Sequence, residues 1–337
     1  MGMDWPTTQT SPPVGSLAFV LAALLSSCAS ESVERRIVEI ASREPMRPQL
    51  VSSLKGPLDP PLVTAENRVV LENNLADALH CLHLRPQGEM EIVWVGRRLA
   101  YPGRYREAVE VFSQGLRIHP GSPRLLRHRG HRYITLREFD KAIEDLAKAA
   151  EKVEGSPDEI EPDGSPNPAN VPRSTLKTNI YYHLGLAHYL KGELDLAWGA
   201  YQKCLELSRV NDDMLCASTH WAYMTLCRLG RRADADALLS PIHENMEILE
   251  NHAYHRLLMM YKTGEIPPQW RNLEEDSLEI VTAGYGIGNW LLCAGRVEEA
   301  QAVFTRLLSG NSWPAFGYIA AENDLMRNEL STTETPR

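Results

Sequence analysis

Apolar side chains recur three and four residues apart over most of the chain. Ile92, Val95 and Leu99 mark one such stripe, and Val109, Phe112 and Leu116 mark the next. This is the spacing of one buried face of an α-helix. Short polar or glycine-containing breaks separate the stripes, so the pattern predicts pairs of helices joined by tight turns. No segment alternates with period two for long enough to build a sheet, and the expected fold class is all-α.

Small residues repeat with the same regularity. Ala108 stands twelve residues after Gly96, and Ala142, Ala197 and Ala300 stand at the same distance after Gly130, Gly185 and Gly288. Gly96 and Gly130 are themselves 34 residues apart. Four residues after each alanine comes Phe112, Leu146, Tyr201 or Phe304, and seven after it Gly115, Ala149, Cys204 or Leu307. Turn glycines follow the first glycine by seven residues at Gly103, Gly192 and Gly295. Small side chains at Gly96 and Ala108 let two antiparallel helices approach closely, and the large residue of each set is expected to fill the space between neighbouring pairs.

This arrangement resembles the tetratricopeptide repeat, a helix-turn-helix unit of 34 residues. Clear units fall at 89–122, 123–156, 178–211 and 281–314. A weaker one at 216–249 has Tyr223 in place of the first glycine but keeps Gly230 and Ala235. Residues 64–88 read as the second helix of a degenerate leading unit, and 250–265 as a first helix stopped by Pro267 and Pro268. Residues 315–329 read as a capping helix over the last apolar face, which an open-ended stack needs. The expected architecture is an α-solenoid of about five to six units over 64–330 with a C-terminal capping helix, followed by a disordered tail at 331–337.

From Gly130 to Gly185 the spacing is 55 residues instead of 34, an excess of 21 that falls within residues 154–175. This insert is rich in proline and acidic side chains. It is either a solvated loop or a flap over the adjoining concave groove, since loops of such length are often functional.

The N-terminus carries one apolar run, Leu17 to Leu25, too short to span a bilayer and of the length of a secretory h-region. Leu25, Ser26, Ser27 and Cys28 follow and resemble the lipobox of bacterial lipoproteins, although Met1 to Ser16 contains Asp4 and no Lys or Arg. The resemblance implies a signal peptide at 1–27, lipidation at Cys28, and a place in the bacterial cell envelope. Residues 28–63 mix charges with prolines and read as a tether with one short helix at Glu31–Ser42. Ala29 then implies the outer membrane. A cytoplasmic adaptor with a chance apolar run is the other reading.

Composition narrows the function classes. The 337 residues include 35 Lys and Arg against 44 Asp and Glu, for a net charge of −9, with 43% hydrophobic and 23% charged residues. These values fit a core-forming globular chain and exclude wholesale disorder, collagen and a polytopic membrane protein. The acidic balance argues against nucleic acid as a partner.

Signals of catalysis are weak. Gly284, Gly286 and Gly288 imitate part of a dinucleotide fingerprint, but they fall within a repeat helix and not after a strand. The pairs His128/His131, His183/His188 and His252/His255 lack further ligands at matching spacing, so no metal is expected. Cys81, Cys204, Cys216, Cys227 and Cys293 form no CxxC pair. We expect no cofactor and no catalytic residue. A metal enzyme with a cavity closed by the 154–175 loop is the reading this sets aside.

The remaining candidate site is the concave face, which first helices line in the family that the chain resembles. Residues there recur at three and four: Arg97 and Tyr101; Arg124, Arg127 and His131; Asn179, Tyr182 and Tyr189; His220 and Arg228; Tyr254, Tyr261 and Lys262; Tyr285 and Asn289. Such a basic, Tyr-rich face suits a protein or peptide partner that is acidic or ends in a carboxylate, because Arg forks onto carboxylates and Tyr supplies stiff contact area. The alternative is that these side chains fill space between helices. If Cys28 is acylated, labelled palmitate should enter the native chain and not the Cys28→Ala variant; equal labelling of both removes the anchor.

Overall fold

The computed structural model describes residues 32–270 and 277–333. The apolar run, Cys28 and residues 334–337 lie outside the described residues. Helix α1 (Val33–Ser42) leads into a short antiparallel hairpin, β1 (Leu50–Ser52) and β2 (Gly56–Leu58), with Leu50 opposite Leu58. Thirteen further α-helices follow among the described residues. They are α2 (Ala65–Leu84), α3 (Glu89–Ala100), α4 (Tyr105–Ile118), α5 (Pro123–Thr135), α6 (Phe139–Val153), α7 (Leu176–Lys191) and α8 (Leu194–Ser208). Beyond these come α9 (Asp212–Arg228), α10 (Arg232–Leu238), α11 (His252–Thr263), α12 (Leu278–Cys293), α13 (Val297–Leu308) and α14 (Phe316–Thr333). The chain is an all-α solenoid of tetratricopeptide-like helix pairs. Among the described residues no helix is long and apolar enough to cross a membrane.

The glycine spacing becomes close packing. A Cβ at Gly96 would stand 2.2 Å from the Phe112 ring, at Gly185 2.7 Å from Tyr201, and at Gly288 2.3 Å from Phe304. Each missing side chain is the slot that receives a large residue from the second helix of the same pair. Phe112 also stacks on His128 of the next pair at 5.8 Å, so it works within its pair as well as between pairs. In the weaker unit Tyr223 takes the glycine position. It stacks on Tyr261 of α11 at 4.4 Å, and the second helix α10 is correspondingly short.

The first helices touch in turn, α3 on α5, α5 on α7, α7 on α9 and α9 on α12, and so form one inner row. Their starts are set by side-chain caps: Ser122 with Pro123 behind it for α5, Thr175 and Thr178 in a reciprocal box for α7, and Asn211 for α9. Each cap satisfies backbone N–H groups that the helix itself cannot.

Two regions depart from expectation. The short helix expected at 31–42 is α1, but residues 32–63 are docked on the solenoid and do not form a free tether. Ile37, Val38, Ile40 and Ala41 form a buried face of α1 against α2 and α4. The Arg104 guanidinium caps the carbonyl end of α1, donating to the oxygens of Ala41 at 2.9 Å and Arg43 at 2.8 Å. Buried Glu107 accepts from the Met46 amide at 2.9 Å and from Gln49 Nε2 at 3.0 Å. Prolines punctuate this stretch and mimic a linker, while its docking depends on residues about sixty positions away.

The second departure is the C-terminus, where the helix continues through residues 331–333 that were expected to be disordered. α14 also does more than cap the last pair on α12 and α13. It reaches α7, and its approach segment meets the N-terminal hairpin, where Trp313 Nε1 donates to the Asp59 carbonyl at 3.0 Å. The joint is Arg137, which sits at φ 61°, the turn position that Gly103 and Gly192 hold in other pairs at 87° and 88°. A side chain there costs about 1 kcal/mol. The Arg137 guanidinium offsets this by binding Glu322 at 2.9 Å and the Trp313 carbonyl at 3.0 Å.

The slot geometry predicts opposite effects for two glycines. Gly185→Val, which drives methyl groups into Tyr201, should destabilise the fold by on the order of 1–3 kcal/mol. Gly199→Ala, in α8 with nothing within 4 Å of its Cβ, should stabilise it by about 0.5–1 kcal/mol. Urea unfolding followed by circular dichroism measures both.

Candidate functional site

The inner row of first helices carries the candidate residues, and two other segments of the chain lie over it. On the N-terminal half this is the insert. It leaves α6 through Gly155 and returns antiparallel to itself, with Ile160 bridged to Thr175 and the Glu161 amide donating to the Ser174 carbonyl at 3.1 Å. Asp158 accepts from the Thr175 hydroxyl at 2.6 Å and from the Lys177 amide at 3.1 Å, so the insert helps start α7. Its far end is tied by Arg173 to Asp213 at 2.9 Å and by Asn167 to Glu250 at 2.6 Å. The insert is a docked flap.

Its acidic side chains meet the basic helices. Arg124 binds Glu159 of the insert as well as Glu89 of α3, the latter at 3.0 Å. Arg127 binds Glu161 at 3.1 Å, and Asn179 donates to the same carboxylate at 3.2 Å. Arg97 donates to the Pro162 carbonyl at 2.7 Å and Arg98 to that of Gly164 at 3.1 Å. Tyr101 lies so close to Gly164 that a Cβ there would clash with its hydroxyl. Arg97 and Arg98 also stack on Trp94 at 4.4 and 5.0 Å.

Between α2, α3 and the insert a cavity of about 620 Å³ remains, with Cys81, Met90, Trp94, Pro166 and Val171 on its walls. This falls within the usual range of ligand pockets.

On the C-terminal half the candidates are interior. Tyr189, His220, Tyr261, Tyr285 and Asn289 are buried, so they do not line an open groove. Tyr182 is buried too, against Phe316 of α14, and its hydroxyl lies 3.1 Å from that of half-buried Tyr254. The Tyr189 hydroxyl lies 2.8 Å from that of Tyr285, and Tyr285 donates to Asp324 of α14 at 3.0 Å. Arg228 pairs with the same Asp324. Lys262 turns away to the Ile242 carbonyl. Here the space-filling alternative is the one realised, because α14 supplies the carboxylate that the arginine and tyrosines need. Asp324 and Glu322 carry no sequence signal beyond lying in an amphipathic terminal helix.

What stays at the rim and floor of a polar space is Arg97, Tyr101, Arg127 and His131, while Arg124 is taken up by Glu89 and Glu159. Arg132, absent from the expected set, joins them. Its place one residue after His131 puts it off the three-and-four stripe that singled out the others. Phe316 closes one side, 5.3 Å from the His131 ring and 5.7 Å from that of His183. Burial, reinforced by neighbouring arginines, holds His128, His131 and His183 well below the ordinary imidazole range. Among the described residues no group of three or more His, Cys, Asp or Glu is placed to hold a metal ion, and all five cysteines are free.

Comparison with known proteins bears on one helix pair first. The tetratricopeptide repeat model matches residues 178–211, which fall on α7 and α8. BBSome complex member BBS4 of Bos taurus is 28% identical over 149 residues, covering 43% of this chain and 24% of that protein. Its Mus musculus counterpart is 26% identical over 153 residues with the same shares. The chain thus spans about a quarter of the length of these curated relatives. Among solved structures, MamA is similar at 14% identity and a TM-score of 0.40, over 59% of this chain and 95% of that one. YrrB, described as a TPR protein with an unusual peptide-binding site, is similar at 12% identity and a TM-score of 0.39, over 69% and 91%.

The buried histidines predict a pH dependence. Burial pushes His220 down to about 3, and it lies stacked 4.8 Å from Tyr254 and 5.9 Å from Tyr261. Below pH ~6.5 the unfolded chain binds a proton that folded His220 refuses, so stability is full above that pH and falls as the pH drops toward 3. Each such histidine contributes up to about 1.4 kcal/mol per pH unit. His220→Gln should flatten the slope between pH 6.5 and 4.5 by one histidine's worth in urea unfolding. An unchanged slope contradicts a neutral His220.

Proposed function

We propose that this chain is a non-catalytic protein-interaction adaptor whose basic inner face, between α3, α5 and α7, receives an extended acidic segment of a partner. The observation that carries the reading is the seating of Glu159 and Glu161 of the insert on Arg124 and Arg127. An acidic strand of this chain already fits the face, with carboxylates on guanidinium groups and backbone carbonyls on Arg97 and Arg98. The insert therefore acts as a built-in occupant, and a partner binds by replacing it. The helix-pair fold, the repeat match and the similarity to a BBSome complex member support membership of a protein assembly over catalysis.

The reading extends to attachment. If Cys28 is acylated, only residues 29–32 separate the lipid from α1, and the solenoid is held against the membrane surface with little reach. Such attachment needs a second membrane contact for stability when a single chain is added.

A labelled peptide of residues 155–165 supplied in trans tests the exchange. Glu159→Ala with Glu161→Ala weakens docking of the native insert, so this double variant should bind the peptide at least tenfold more tightly than the native chain. Adding Arg124→Glu should remove the gain. Equal affinities in fluorescence anisotropy, or a gain that persists with Arg124→Glu, exclude the face as the binding site.

A further inference from the structure

The space beneath the insert carries more positive charge than the insert neutralises. Arg97, Arg127 and Arg132 line a cavity of about 130 Å³ together with Tyr101, His128 and His131, and none of its lining residues is acidic. The volume equals the share of liquid taken by about four waters, room for one tetrahedral oxyanion. Arg127 is only 7% exposed. Glu161 takes one edge of its guanidinium, yet its Nε has no hydrogen-bond partner.

Among the described residues no carboxylate pairs with the other two guanidinium groups. Arg97 meets a carbonyl at 2.7 Å and the Tyr101 hydroxyl at 3.4 Å, both neutral. Arg132, half-buried, lies 5.6 Å from the centre of the Tyr105 ring and has no ion pair among the described residues. Burial, with the charges of Arg127 and Arg97, pushes Arg132 down to about 10. The neighbouring imidazoles add no negative charge: His128 is 3.5 Å from Glu161 and stacked on Phe112, and His131 lies tilted against His183 at 4.3 Å.

Partly enclosed cations of this kind cost stability unless an anion joins them. Two uncompensated positive charges match a dianion, whereas one carboxylate leaves a charge over. A phosphate monoester brings close to two charges and three strong acceptor oxygens, which suit the N–H donors of three arginines and the O–H of a phenol. We propose that this cavity binds a phosphate monoester group, either of a small molecule or of a phosphorylated side chain on a partner. The site goes beyond the adaptor reading, since it requires no exchange of the insert.

The full chain is tested with two probes. Equilibrium dialysis measures uptake of labelled inorganic phosphate, and fluorescence anisotropy measures a phosphoserine peptide against its unphosphorylated twin. At least one phosphate probe should bind saturably at one site per chain, and whichever binds identifies the source. Arg132→Met and Arg97→Met should each weaken that binding at least tenfold with helicity retained. Arg97 is half-buried at the rim, so its variant keeps the test open should Arg132→Met fail to fold. Absence of saturable binding by both probes, or native affinity in a folded variant, overturns the site.

Discussion

The close approach of paired helices at Gly96, Gly130, Gly185 and Gly288 is the constraint from which the rest follows. Each glycine admits Phe112, Leu146, Tyr201 or Phe304 to within a few ångströms of the opposite backbone. Once the pairs close that tightly, the helix faces left over on the inner side are decided by the 3.6-residue repeat and not by the chemistry of their side chains. That inner side carries arginine, histidine, tyrosine and asparagine. An open solenoid would leave such groups to water. Here they are covered, so each needs a partner from somewhere else in the chain.

The partners come from segments that do not belong to the repeat. Glu161 of the insert serves Arg127, Asp324 of α14 serves Arg228, Tyr285 and Arg327, and Glu322 serves Arg137. A buried ion pair stabilises little in net terms, yet removing one member exposes the cost of the other and destabilises by about 3–5 kcal/mol. Insert and terminal helix are thus bound to the solenoid by necessity of charge as much as by apolar contact. The same necessity leaves Arg97 and Arg132 conspicuous, since no carboxylate among the described residues pairs with them.

This division explains what could be read from the sequence. The helix pairs were legible because Gly, Ala and the following large residue act within one unit, at spacings of twelve and four. Caps such as Ser122 and Thr175 were equally local. The open groove was not legible, because whether Tyr285 faces a partner or the core is decided by Asp324, 39 positions later and in a different element. The tether failed for the same reason: α1 has an apolar face of ordinary strength, and only the distant Arg104 and Glu107 make a site for it and for the stretch after it. Arg132 escaped notice because a stripe of first-helix positions selects residues by direction, whereas the cavity selects them by convergence from two helices.

The two covered halves of the inner face differ in how readily they can be vacated. Asp324 and Glu322 have side chains only 3% and 2% exposed, and their removal would strand buried arginines. Glu159 is 51% exposed, and its contact with Arg124 is a surface pair of the kind worth about 0–1 kcal/mol. The insert therefore has the looser edge of the two coverings, and a partner that replaces it must also bring a carboxylate to buried Arg127 in place of Glu161, which is only 9% exposed. Replacement still has a cost, since an intramolecular occupant competes at an effective concentration that reaches the millimolar range for short flexible connections. If the insert leaves its seat one part in a hundred, a partner loses about a hundredfold in apparent affinity, or about 2.7 kcal/mol. A partner segment carrying more acidic side chains than the insert, reaching Arg97 and Arg132 as well as Arg124 and Arg127, recovers that loss from the two guanidinium groups to which the insert offers no carboxylate.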